Sequence, residues 1–95
     1  MTYQAPIKDM QFVLNNLVGI DGFAQMPAFA DTSAELASTM LNEGSRYFNE
    51  RLAPNNWDAN LEGARLENGV VRVPDSFDAL WDGFKQTGWL AASFP

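Results

Sequence analysis

Cysteine and histidine are both absent from this 95-residue chain. Without cysteine there is no disulfide framework, no thiolate nucleophile and no structural zinc centre. Without histidine the commonest metal ligand and the commonest general base at neutral pH are missing. Basic side chains are scarce as well: six Lys and Arg against twelve Asp and Glu give a formal net charge of −6. The six, Lys8, Arg46, Arg51, Arg65, Arg72 and Lys85, form no cluster. Nucleic-acid affinity rests on such side chains neutralising phosphates, and anionic lipid surfaces attract the same charges. Neither nucleic acid nor a membrane surface is therefore an expected partner. No stretch approaches the ~20 apolar residues that span a bilayer, and the N-terminus lacks the charged and long apolar regions of a signal peptide. A cytoplasmic location is the expectation.

Aromatic side chains, by contrast, are plentiful, with seven Phe, three Trp and two Tyr. Each buries roughly 150–250 Å², more in total than so short a chain easily hides in its own interior. The last nine residues, Thr87 to Pro95, are apolar and uncharged. Such an end reads as a segment cut where it was about to pack against something. The specific string at Tyr3 to Leu14 reads as a true N-terminus. Trp89, Leu90 and Phe94 should leave an apolar patch, so self-association or packing against further domains is expected.

The periodicity predicts a mostly α chain of three helices with one small β-hairpin. Residues 1–30 are an extension and anchor loop, and residues 31–95 carry helices and hairpin. Asp9 is a cap for a first helix over 9–18, whose Met10, Val13, Leu14, Leu17 and Val18 form one apolar stripe for burial. Gly19 stops it. In the following loop Phe23, Met26 and Phe29 are anchors against a neighbouring surface. Thr32 to Glu35 reads as a capping box for a second helix over 32–52, ended by Pro54. Its apolar face runs from Leu36 to Leu52, and Gly44 on that face predicts a close helix–helix approach. Glu43 and Arg46 form a weak surface pair. Residues 53–63 read as irregular. Asn68-Gly69 is a type I′ turn between two short strands, and so small a hairpin must lean on helices. Asp75 is the cap of a third helix over 75–87, with Phe77, Leu80, Trp81 and Phe84 on one face, Lys85 in the last turn and Gly88 as the stop.

Little of this is catalytic. No Ser/His or Cys/His pair exists, and no glycine-rich phosphate motif. Asp75, Asp78 and Asp82 fall on one side of the third helix at spacings of three and four. Such a row can hold a hard cation, but a cap and a solvated face explain it better, and no metal site is assigned. Trp57, Trp81 and Trp89 can stack a planar ligand. Packing in a core or interface is the better reading of them.

Tyr3-x-Ala5-Pro6-Ile7-Lys8-Asp9-Met10-x-Phe12-Val13-Leu14 resembles the opening Y-x-A-P-L-R-D-M-x-F-V-L of a bacterial branch of the acyl-CoA dehydrogenases, which includes long-chain and 3-(methylthio)propanoyl-CoA enzymes. Asn42 to Pro54 is similar to the family's second long helix running into L-A-P. Leu66 to Val71 followed by Pro74 resembles its short turn, and Phe77 to Trp81 with Gly88-Trp89 resembles the helix ending in G-W. One loop departs: where the family tends to P-L-N-R-x-G-D-x-x-G, this chain has Trp57, Ala59 and Asn60 in place of the Arg, Gly and Asp. The resemblance implies α,β-dehydrogenation of an acyl-CoA substrate, with a Glu taking the α-proton and FAD the β-hydride. It places that Glu in a C-terminal helical domain, and the flavin contacts there and in a middle β-domain, beyond Pro95. None of Glu35, Glu43, Glu50, Glu62 or Glu67 matches the catalytic position. No catalytic, cofactor-binding or metal residue is assigned, and no FAD is expected on this chain alone. The resemblance thus implies a non-catalytic N-terminal segment; the alternative is a stand-alone helical interaction protein derived from that family.

Overall fold

Pro6 sets the entry to the first helix, because its ring fixes φ and its missing N–H is not needed there. In the computed structural model, which describes residues 2–93, α1 spans Ile7–Phe12. Asp9 lies in its first turn and is not the cap, so the helix starts two residues earlier than predicted. The chain continues through a π-helical stretch at Val13–Val18, closed by an N–H of Gly19 donating to the Leu14 carbonyl. Gly19 is left-handed and ends the element as expected. Short 3₁₀ turns follow at Ile20–Gln25 and Pro27–Phe29.

The second helix, α2, spans Ala34–Tyr47. Its cap is Ser33, one residue past the predicted Thr32: the Ser33 hydroxyl accepts from the Leu36 amide at 3.0 Å. Ser33 has the extended backbone that a cap requires. A second free amide at this end, that of Ala34, donates to Asp21 Oδ1 at 2.8 Å, which ties the loop to the helix. Beyond Tyr47 the backbone stays right-handed through a π-helical turn at Phe48–Leu52 and runs directly into α3, Ala53–Glu62. The segment predicted to be irregular is thus helical. Pro54 begins a helix instead of ending one, since the first turn tolerates a missing N–H.

The hairpin has the predicted turn. Strands β1, Arg65–Glu67, and β2, Val70–Arg72, pair antiparallel with Leu66 opposite Val71. Asn68 and Gly69 both have positive φ, 51° and 77°, as a type I′ turn demands. All six strand residues are exposed, so the hairpin finds no helix to cover it, contrary to expectation. The last helix, α4, spans Ser76–Gln86. Asp75 stands at its cap position but makes no side-chain cap bond. A 3₁₀ turn, Trp89–Ala91, follows the left-handed Gly88. The fold is mostly α with one hairpin, as predicted, but the described residues form four α-helices in place of three.

What holds these elements is a thin seam. Gln11 Nε2 donates to Ser38 Oγ at 2.8 Å, and the Ala5 amide to Asn49 Oδ1 at 2.9 Å, fastening α1 and its lead-in along α2 and the π-helical turn. Among the described residues no hydrophobic side chain is fully buried. The accessible surface is 7573 Å², against about 5,400 Å² for a folded monomer of this mass. The radius of gyration is 17.5 Å, against about 12 Å for a compact domain of this length. The Met10–Val18 stripe expected to be buried is mostly open, with Leu17 71% exposed. Phe23 and Phe29 pack edge to face on one another, centroids 6.2 Å apart, and remain substantially exposed.

Candidate functional site

Two close approaches position α4 and the turn after it against α2. A methyl group on Gly44 would sit 2.6 Å from Trp89 Cζ2, so the bare backbone of α2 is what admits the indole. The predicted close approach at Gly44 is therefore made by a tryptophan and not by a helix. Gly88 turns the chain back to deliver it, and the Trp89 amide donates to Thr87 Oγ1 at 3.2 Å. Trp89 is half-buried there and does not form the open patch expected of the tail; Leu90 does stay exposed. Phe94 and Pro95 lie outside the described residues. The second approach is at Gly83, where the Tyr47 ring lies against the helix and its hydroxyl donates to the Leu80 carbonyl. Gly83 gave no signal in the sequence; its role exists only once Tyr47 is placed.

These contacts leave a cleft of about 610 Å³ between the π-helical turn after α2 and α4. Phe48 and Leu52 form one wall, Phe77 and Trp81 the other; Leu80 and Phe84 also line it, with Val73 contributing from the chain after β2. Phe84 stacks at tilted angles against Tyr47, Phe48 and Trp81, with centroids 6.0–6.3 Å apart. Among the described residues the only ionisable group in the lining is Asp78. Sequence periodicity found both walls as separate helical stripes; their meeting across a cleft depends on the two glycine contacts. Volume and lining resemble those of small-molecule sites, but no nucleophile, paired acid and base, or oxyanion donor converges there. The arrangement offers apolar contact and one carboxylate.

The acidic row resolves into three separate roles. Asp75 stands at the start of α4, Asp78 faces the cleft, and Asp82 Oδ1 pairs with Lys85 Nζ at 2.8 Å. Among the described residues no three Asp or Glu gather as a metal centre. Of the tryptophans, Trp57 is 67% exposed and makes neither core nor stacking pair among the described residues, while Trp81 is a wall of the cleft. Among the described residues no helix is long and apolar enough to cross a membrane.

The decisive comparison is with a curated protein. Over all 95 residues the chain is 34% identical to the N-terminal part of a 3-methylmercaptopropionyl-CoA dehydrogenase of Ruegeria pomeroyi. The chain matches an N-terminal acyl-CoA dehydrogenase segment. It spans 16% of the length of that dehydrogenase. No protein-family model matches the chain. The departures at Trp57, Ala59 and Asn60 fall on α3, an exposed, regular helix, and not on a loop. A flavin dinucleotide, which that family uses, does not fit this cleft: its pyrophosphate needs cationic or free amide donors, and the described lining offers a lone carboxylate.

Proposed function

We propose that this chain is the N-terminal helical segment of an FAD-dependent acyl-CoA dehydrogenase and contributes structure, not catalytic groups. In that reading residues 1–30 are an extension and anchor loop and residues 31–95 the first helices and hairpin. A middle β-domain and a C-terminal helical domain follow. The substrate of the complete enzyme is an acyl-CoA thioester, dehydrogenated across its α,β bond, and the location is the cytoplasm. The catalytic Glu and the flavin contacts belong to the later domains. This chain supplies apolar walls that those domains cover.

The observation that carries the reading is the pairing of end-to-end similarity with missing burial. A segment covering 16% of a dehydrogenase, with its large apolar side chains open, behaves as one layer of a larger body. Domains bury their apolar faces between layers, and a single layer does not.

The test is an intact-mass and absorbance measurement on the native protein from its source cells. A mass several times 10.5 kDa, with flavin bands and acyl-CoA-dependent reduction of an artificial acceptor, is the expected result. A colourless native product of 10.5 kDa overturns the reading and favours a stand-alone interaction protein. The 95-residue chain by itself is expected to be colourless and inactive.

A further inference from the structure

An asparagine side chain is chemically labile where the next backbone nitrogen can reach it, and the structure sets Asn68 apart from every other asparagine of the chain. Asn15, Asn16, Asn42, Asn49, Asn55, Asn56 and Asn60 all lie within helical elements. There the next amide belongs to the helix ladder and cannot swing onto the side chain unless the turn opens. Asn49 is held further, since its Oδ1 accepts from the Ala5 amide. The two Asp-Gly pairs, which share this chemistry, are restrained as well. At Asp21-Gly22 the Gly22 N–H donates to the Gly19 carbonyl, and Asp21 Oδ1 accepts from the Ala34 amide. Asp82-Gly83 lies inside α4. Asn68 instead stands exposed at the tip of the hairpin, with φ 51°. Among the described residues the Gly69 N–H is tied to no turn or loop carbonyl. Nothing stands within 4 Å of the place a Cβ on Gly69 would take, so its nitrogen is unshielded. The strands beside the turn are three residues each and wholly exposed, so the tip opens at little cost.

We propose that Asn68 is a self-modification site, at which the folded chain converts its own asparagine to aspartate and isoaspartate with water as the only co-reactant. The Gly69 nitrogen gives its proton to a solvent base and attacks Asn68 Cγ. The N–Cγ bond forms, the Cγ–Nδ2 bond breaks, and the side-chain nitrogen takes up a proton and leaves as ammonia. A five-membered cyclic imide remains. Water then opens the ring, its hydroxyl going to carbon and its proton to nitrogen; nothing is oxidised or reduced. Breaking the N–Cγ bond gives aspartate at 68. Breaking the bond to the Asn68 main-chain carbonyl carbon gives isoaspartate, whose main chain runs through Cβ. Either product adds one negative charge to the −6 of the chain, directly beside Glu67. Isoaspartate also lengthens a loop whose geometry is set for two ordinary residues, so the pairing of Glu67 with Val70 is lost in that product. The site rests on the turn and not on the dehydrogenase reading, and its failure leaves that reading untouched.

The experiment is incubation of the 95-residue chain at neutral and at mildly alkaline pH, with circular dichroism confirming its helices. Products are read by mass-spectrometric peptide mapping and by methylation with an isoaspartate-specific carboxyl methyltransferase. The expected result is a gain of about one mass unit in the peptide holding Asn68, at least about tenfold faster than at any helical asparagine, whose turn must open first. Both aspartate and isoaspartate are expected, and the conversion runs faster at the higher pH because the attacking nitrogen must lose its proton. Asn68→Gly keeps the turn, since glycine accepts positive φ, and abolishes the gain in that peptide. A parallel incubation in guanidinium separates the folded turn from the dipeptide alone. The rate at Asn68 in the folded chain is expected to lie within about tenfold of the unfolded rate, because so small a hairpin protects little. Survival of Asn68 in the folded chain, protection well beyond tenfold, aspartate without isoaspartate, or earlier conversion at a helical asparagine each overturns the proposal.

Discussion

The α2–α4 seam and the α1 stripe are built from similar side chains and end in opposite situations. At the seam, glycines at 44 and 83 let Trp89 and Tyr47 reach the helix backbones, and Phe48 and Phe84 fill in beside them. Along the α1 stripe, Val13, Leu17 and Val18 have helical spacing and stay exposed among the described residues. The difference lies in what faces each stripe. An apolar stripe states that something covers it and does not state what.

Substitutions can break or sharpen that contrast. The largest effect is expected at Gly44→Ala, which places a methyl group 2.6 Å from the indole. Displacing Trp89 costs about 1–3 kcal/mol by the usual penalty of overpacking, against about 1 kcal/mol gained from helix propensity. A lower urea midpoint and red-shifted tryptophan emission check this. Leu17→Ser, measured on dilute chain, is expected to change stability by less than about 0.5 kcal/mol, as for an exposed site. Equal losses at the two positions erase the contrast.

Tyr47→Phe removes the hydroxyl bond to the Leu80 carbonyl and is expected to cost about 1 kcal/mol, read from the same urea transition. Ser33→Ala is expected to cost about 1 kcal/mol through loss of the cap, while Thr32→Ala leaves the midpoint unchanged; thermal scans separate the two. Smallest is Glu43→Gln. Its partner Arg46 Nη1 lies 3.4 Å away with both side chains about two-thirds exposed, so the expected change is only a few tenths of a kcal/mol, seen as an unchanged melting profile at high salt.

Sequence alone located the elements better than their limits or their partners. Gly19 and Asn68-Gly69 were legible because positive φ is a local requirement that few residues meet. Pro54 was misleading for the opposite reason. A proline can end one helix or begin the next, and the backbone at Phe48–Leu52 decides which. Thr32 and Ser33 are adjacent capping residues, Ser the slightly better of the two, and the tie from Asp21 to the Ala34 amide holds the helix start at Ser33. Gly44 was recognised as a point of close approach, but the identity of the visitor, Trp89, lies 45 residues on and is set by the turn at Gly88. The cleft was not legible at all, because its walls come from two helices whose separation neither stripe encodes. The family resemblance was legible from spaced motifs.

The central claim is that these helices depend on another polypeptide surface to complete their burial. The most direct test is the urea midpoint of the isolated chain, followed by circular dichroism over a hundredfold range of protein concentration. Association that favours the folded form raises apparent stability by mass action, so the midpoint is predicted to climb steadily with concentration. A sharp transition with the same midpoint at every concentration would mean that the chain completes its own core, and would contradict the account.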